Sequence, residues 1–137
     1  MTRLFLLLLA TTSPAIGQIA PLSFEAGKQL PLSAGQWTYS QTASGSESRF
    51  GSLLAIRCER AARTVVIERV GSPQALLTIA TSSAMQSLAA GGRVAATDPL
   101  LDAIAFSRGR FLVAGGAAPV LAIPSWPEAA RSIEDCR

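Results

Sequence analysis

Two cysteines, Cys58 and Cys136, stand 78 residues apart and constrain this chain more than any other feature of it. That spacing does not suit a redox Cys-x-x-Cys pair or a local zinc knuckle. It suits a disulfide tying an early strand to the last turn, provided the chain reaches an oxidising compartment. The start of the sequence supplies that condition. Met1-Thr2-Arg3 is a short positive segment, Leu4 to Ala10 an apolar run, and Ala15-Ile16-Gly17 a small-x-small cleavage site before Gln18. The apolar run falls far short of the roughly 20 residues that cross a bilayer as a helix. Residues 1–17 therefore read as a cleaved secretory signal, and the periplasm is the expected location. No cysteine follows the run, so no lipid attachment point exists, and nothing predicts stable membrane insertion once the signal is removed. Closing so long a loop would stabilise the fold by about 4.5 kcal/mol on the chain-entropy model. The bond requires the two Cα atoms to lie about 4.4–6.8 Å apart.

Residues 18–137 are enough for one domain with a modest core. The formal charge of the whole sequence is +3, and Arg3 would leave with the signal. Arg57, Arg60 and Arg63 are interleaved with Glu59 and followed by Glu68 and Arg69, so the cations do not form a run. Phosphate binding needs several cations converging on one surface, and at 6% aromatic residues there is little to stack bases. No nucleic acid is expected as a partner. The sequence has no histidine, which removes Ser-His-Asp and Cys-His catalysis and every zinc arrangement built on histidine. Lys28 is the only lysine and has no acid–base partner in sight. Glu59 and Glu68 could approach across a hairpin as glycosidases require, but each adjoins an arginine, and a salt-linked sheet face explains them better. Gly91-Gly92 and Gly115-Gly116 lack phosphate-loop spacing and read as turn glycines. The expectation is a non-enzyme with no metal and no cofactor.

Residues 18–36 hold scattered prolines and glycines with no period and read as an extended arm. Trp37 to Tyr39 is a short strand candidate, and Gln41 to Ser48 is a loop by composition. Leu54, Ile56 and Cys58 alternate with Ala55, Arg57 and Glu59, which predicts a half-buried strand with the cysteine facing inward. Arg63 to Val70 is the strongest strand and completes a hairpin, with Gln74 to Thr81 as the next member of a meander. Ser82 to Ala90 fits either a strand or a helical turn, and Arg93 to Ala96 follows the Gly91-Gly92 turn. Thr97-Asp98-Pro99 starts a helix that buries Leu100, Leu101 and Ile104. Arg110 to Ala114 and Pro119 to Ile123 form a second hairpin. Ser125-Trp126-Pro127-Glu128 has capping-box spacing for a last helix, whose Cys136 docks on the Cys58 strand. The fold class is mostly β: a small antiparallel sandwich or open barrel over 37–137, with a short internal helix and a disulfide-pinned C-terminal helix.

The most distinctive constellation is Phe106-Ser107-Arg108-Gly109-Arg110-Phe111, where a helix hands over to a strand. Guanidinium forks there can bind a carboxylate or phosphate on a partner; the plainer reading pairs Arg108 and Arg110 with Asp98, Asp102, Glu134 or Asp135. Trp37 and Trp126 are either core anchors or recognition residues. The segment from Asp98 to Phe111, with Ile123-Pro124-Ser125-Trp126-Pro127-Glu128 and Ile133-Glu134-Asp135-Cys136-Arg137, resembles a group of small uncharacterised exported proteins of alphaproteobacteria, a likeness that implies no activity. The late small-residue helix with its terminal cysteine, Ala129 to Cys136, is loosely similar to the periplasmic invasion-associated locus B family, which implies a β-sandwich. The functional expectation is a non-catalytic envelope accessory or binding protein acting on a protein partner through Ser107, Arg108, Arg110 and Trp126. The alternative is an inhibitor of a secreted hydrolase such as a lysozyme-like enzyme, plugging its cleft with Gln41–Ser48 or Ser82–Gly92.

Overall fold

The computed structural model describes residues 21–117 and 119–137; the expected signal and the first residues of the arm lie outside them. The described chain runs α1 (Phe24–Gly27), β1 (Trp37–Thr42), β2 (Gly45–Phe50), β3 (Leu54–Glu59), β4 (Thr64–Arg69), β5 (Thr78–Ala80), β6 (Met85–Ser87), β7 (Arg93–Ala95), α2 (Pro99–Ala105), β8 (Arg110–Ala114), β9 (Leu121–Pro124) and α3 (Pro127–Glu134). Two antiparallel sheets result, one ordered β1-β2-β3-β4-β7 and the other β6-β5-β8-β9.

Period-two alternation assigns the faces of the first sheet. Register aligns Phe50 with Leu54, Ser48 with Ile56 and Ile67, and Ser46 with Cys58, Val65 and Val94. These rows face inward. Ile79, Phe111, Val113, Leu121 and Ile123 of the second sheet meet them in one core, which Leu100, Leu101, Ile104, Ala129 and Ile133 of the helices complete. Each large side chain so buried contributes about 1.5–3 kcal/mol. The opposite face of the first sheet carries ion pairs: Arg49 with Glu47 at 3.1 Å, Arg57 with Glu68 at 2.5 Å, and Arg93 with Glu59. The salt-linked face read from the sequence is therefore present, and it roofs Ala55 and Val66, which are almost fully buried.

Helix α3 lies on the inner face of β1, β2 and β3, where β2 offers the small side chains of Ser46 and Ser48. The Ser48 hydroxyl donates to the Glu128 carbonyl and meets Ser132 Oγ at 2.8 Å. The helix thereby gains polar partners for groups that would otherwise be stranded in a dry interface. Cys136 follows it and bonds Cys58, with Cα atoms 5.4 Å apart, inside the expected range. Gly45 makes this end of β2 possible: a Cβ there would sit 2.2 Å from the carbonyl oxygen of Cys58. Gly92 is as tightly specified, with φ +63° and its would-be Cβ 1.8 Å from the oxygen of Ile67. Both Gly-Gly pairs take positive φ, as turn glycines do.

Several expectations need correction. Gln41–Ser48 is not a loop: the polar residues continue β1 and β2, and only Ala43 and Ser44 turn. Their side chains are polar because one face looks at solvent and the other meets α3. Gln74–Thr81 does not extend the meander, since β5 crosses to the second sheet and β7 pairs with β4 instead. Ser82–Gly92 includes strand β6, so neither proposed plug is an irregular loop. The arm is not wholly extended. Ser23 caps α1 by accepting from the Ala26 amide, and Leu22 and Phe24 pack on Ala80, Leu112 and Ala122 of the second sheet's outer face.

The capping box is absent. Pro127 occupies the first helical turn, making Trp126 the N-cap, and the Ser125 amide is already donated to the Gly109 carbonyl at 3.2 Å. The expected start of α2 is present, with Asp98 accepting from the Leu100 amide at 2.8 Å.

The end of α3 is fixed by a polar cluster that sequence reading did not anticipate. The Tyr39 hydroxyl donates to Asp135 Oδ2 at 2.5 Å, and the Arg131 guanidinium lies 3.8 Å over the Tyr39 ring. The Tyr39 hydrogen bond is the main cause holding the Asp135 carboxyl below its ordinary range, with Arg60 and Arg131 adding to it. A depressed carboxylate pKa contributes stability that is complete above the unfolded value, about 3.9, and is lost as pH falls through the folded value. Tyr39→Phe is therefore expected to destabilise the protein at neutral pH. The gap from wild type should narrow as urea midpoints are measured progressively below pH 4; a gap that widens in acid would refute the assignment.

Candidate functional site: a serine-clamped turn with exposed arginine and aromatics

The turn between α2 and β8 is built by reciprocal serine contacts. Ser107 is buried, and its hydroxyl accepts from the Ser82 amide at 3.0 Å while donating to the Arg110 carbonyl at 2.5 Å. Ser82 answers by accepting from the Arg108 amide at 3.0 Å. Thr81 stiffens the facing turn, its hydroxyl accepting from the amides of Ser83 and Ala84. Two loops distant in sequence are thus locked together, and the backbone of residues 106–109 has little freedom left.

What this clamp displays is unusual for a surface turn. Phe106 ends α2 and is 80% exposed, and Arg108 is exposed two residues later. Trp126 is 48% exposed, directly after the Ser125 amide that bonds Gly109. That hydrogen bond ties the backbone leading into Trp126 to the turn that carries Arg108. Met85, in the strand that follows the 81–84 turn, is 62% exposed. The guanidinium of Arg108 makes no ion pair among the described residues.

The four candidate residues thus divide. Ser107 is the clamp, while Arg108 and Trp126 are display residues. Arg110 is structural: its Nη1 donates to the carbonyl of Leu30 at 2.6 Å and to that of Gly27 at 3.4 Å, fastening the arm across β8. Neither arginine pairs with Asp98, Asp102, Glu134 or Asp135. Arg137 takes Asp102 at 2.8 Å and Glu134 at 3.2 Å instead, because α3 delivers it beside α2. Trp37, by contrast, is a core residue, packed edge-on against Phe50 and donating to the Pro124 carbonyl at 2.8 Å. Sequence reading missed Ser82, whose role is legible only once β5 and β8 are known to be neighbours.

Cavities among the described residues that lie elsewhere include two of note. One of about 580 Å³ opens between the β1–β2 and β3–β4 turns, lined by Ala43, Ser44, Glu59, Arg60, Ala61 and Ala62. Its carboxylate is committed to Arg93, whose hydrogen bond is the leading cause of the lowered Glu59 pKa. The other, about 260 Å³, is apolar and runs between the arm and β8. Among the described residues no group of three or more histidine, cysteine, aspartate or glutamate side chains is placed to hold a metal ion. Compared with protein-family models, curated proteins and solved structures, the chain matches none.

Proposed function

We propose that this chain is a non-catalytic, exported accessory protein of the cell envelope that binds a protein partner through Phe106, Arg108 and Trp126. The observation carrying this reading is the exposure of Phe106, and of an Arg108 guanidinium with no ion pair among the described residues, on a turn fixed by Ser82 and Ser107, with exposed Trp126 following the Ser125 amide that bonds the same turn. Trp and Arg dominate interface energetics, and a pre-ordered turn loses little entropy on binding. The partner surface called for is an apolar recess bearing a carboxylate. The absence of histidine and the engagement of both cysteines support a binding role over acid–base or thiol chemistry. The short positive and apolar start of the sequence supports export.

Affinity capture from a periplasmic extract tests the proposal, with Arg108→Ala/Trp126→Ala as the control. A hot-spot truncation costs about 2 kcal/mol or more, so the double variant is expected to bind at least about thirty-fold more weakly while melting normally. Undiminished capture by the variant would refute the assigned face. Stoichiometric titration of a captured lytic enzyme would make the partner a hydrolase and the protein its inhibitor, and turnover of an envelope substrate by the purified protein would overturn both readings.

A further inference from the structure

Each sheet edge among the described residues is protected, except one. Strands β6 and β7 span three residues apiece, and β7 carries Arg93. The β9 edge is covered by the arm, where Ser33 donates its amide to the Ala122 carbonyl at 2.9 Å and accepts the Ala122 amide on its hydroxyl at 3.0 Å. Strand β1 is different. It spans six residues, pairs with β2 without a bulge, and contains no charge and no proline. Thr38, Ser40, Gln41 and Thr42 are exposed along it. Short length, charge, proline, bulges and covering segments are the devices that keep edges from pairing, and among the described residues β1 has none of them.

We propose that β1 pairs antiparallel with β1 of a second copy of this chain, joining the two five-stranded sheets across a two-fold axis through Ser40. Residues opposite one another in a ladder share a face, so the axis must pass through a residue. An axis through Tyr39 would set two Tyr39 rings opposite each other and bring their overlying Arg131 guanidinia into repulsion. An axis through Ser40 instead sets Ser40 against Ser40, Thr38 against Thr42 and Tyr39 against Gln41. A second copy is the occupant because a neutral strand meets itself without opposing like charges, the ordinary penalty on self-pairing. Two-fold dimers are also the commonest closed assembly. This surface is separate from the Phe106–Arg108–Trp126 face.

Sedimentation velocity over a concentration series tests it, on wild type, Ser40→Lys and Ser40→Glu. Wild type is expected to show a monomer–dimer equilibrium. Either charged variant sets like charges opposite each other across the interface and should raise the dissociation constant at least about tenfold, with near-ultraviolet dichroism unchanged because Ser40 is exposed. Mixing the two variants should restore the dimer, since lysine then faces glutamate. Arg108→Ala/Trp126→Ala should dimerise like wild type. A wild type monomeric at every concentration, a dimer indifferent to Ser40→Lys, or a mixture that stays monomeric would overturn the proposal.

Discussion

Replacing Cys58 and Cys136 together by alanine is expected to lower the unfolding free energy by about 3–4.5 kcal/mol, read from urea midpoints against the oxidised protein. The upper figure is the chain entropy that the bond removes from the unfolded state by closing the 78-residue loop, and the lower allows for structure retained in the unfolded chain. Against a total of about 5–15 kcal/mol for a typical domain, that is a large share. The loss should appear first in the last helix. Helix α3 is short, its N-cap makes no side-chain hydrogen bond, and its position depends on Ile133, the Ser48–Ser132 contact and the disulfide. Hydrogen exchange in the double variant should accordingly rise over Pro127–Glu134 before it rises in β3 and β4. A loss below about 1 kcal/mol, outside the usual range for a native disulfide, would mean that α3 is held without the bond.

Arg69→Met is expected to cost about 2–4 kcal/mol, the largest effect for a single charged residue. Arg69 is only 7% exposed and has no carboxylate partner among the described residues; its two terminal nitrogens donate to the carbonyls of Gly115 and Pro119, each at 2.9 Å. Charge-assisted hydrogen bonds are worth about 1.5–3 kcal/mol apiece. The partial exposure of their acceptors places the sum below the simple total. Because the bonds run from β4 in one sheet to the β8–β9 turn in the other, their removal should also loosen that turn. Methionine keeps the length of the stem, so the comparison isolates the guanidinium. A variant melting within a degree or two of wild type would show that the turn holds itself.

The elements whose side chains follow one clear period were legible in advance. The β3–β4 hairpin, α2 with its Asp98 cap, the β8–β9 hairpin and the cysteine pairing all follow from alternation, capping chemistry and the cysteine count. The β1–β2 hairpin was hidden because Gln41 to Ser48 carries the composition of a loop. A polar strand reads as a loop when its inner face packs against a helix through serines rather than against another sheet through aliphatics. The destination of β5 was hidden for another reason. Strand pairing is a property of the whole chain, and Gly71-Ser72-Pro73 marks a break without saying to which sheet the chain then turns. In the candidate site, the sequence leaves Trp126 open between core and surface and on its plainer reading pairs both arginines with acids, whereas Trp126 is half exposed, Arg108 makes no ion pair among the described residues, and Arg110 is turned to the arm. Its acceptors are backbone carbonyls of the arm, which no pattern of charged side chains reveals.

The serines on the inner face of β2 also bear on how the chain avoids sticking to itself while it folds. Strands β1 to β4 are joined by short turns and can assemble early from local contacts. Helix α3 follows every strand in the sequence, so on the emerging chain it can cover them only after the residues of the second sheet have been synthesised. During that interval the face awaiting the helix presents Ser46 and Ser48 beside Cys58 and Ile56, so water can solvate its middle and the exposed apolar surface is interrupted. The Ser48 hydroxyl, partner of Glu128 and Ser132 in the finished protein, acts with its neighbour Ser46 as a gatekeeper in the unfinished one.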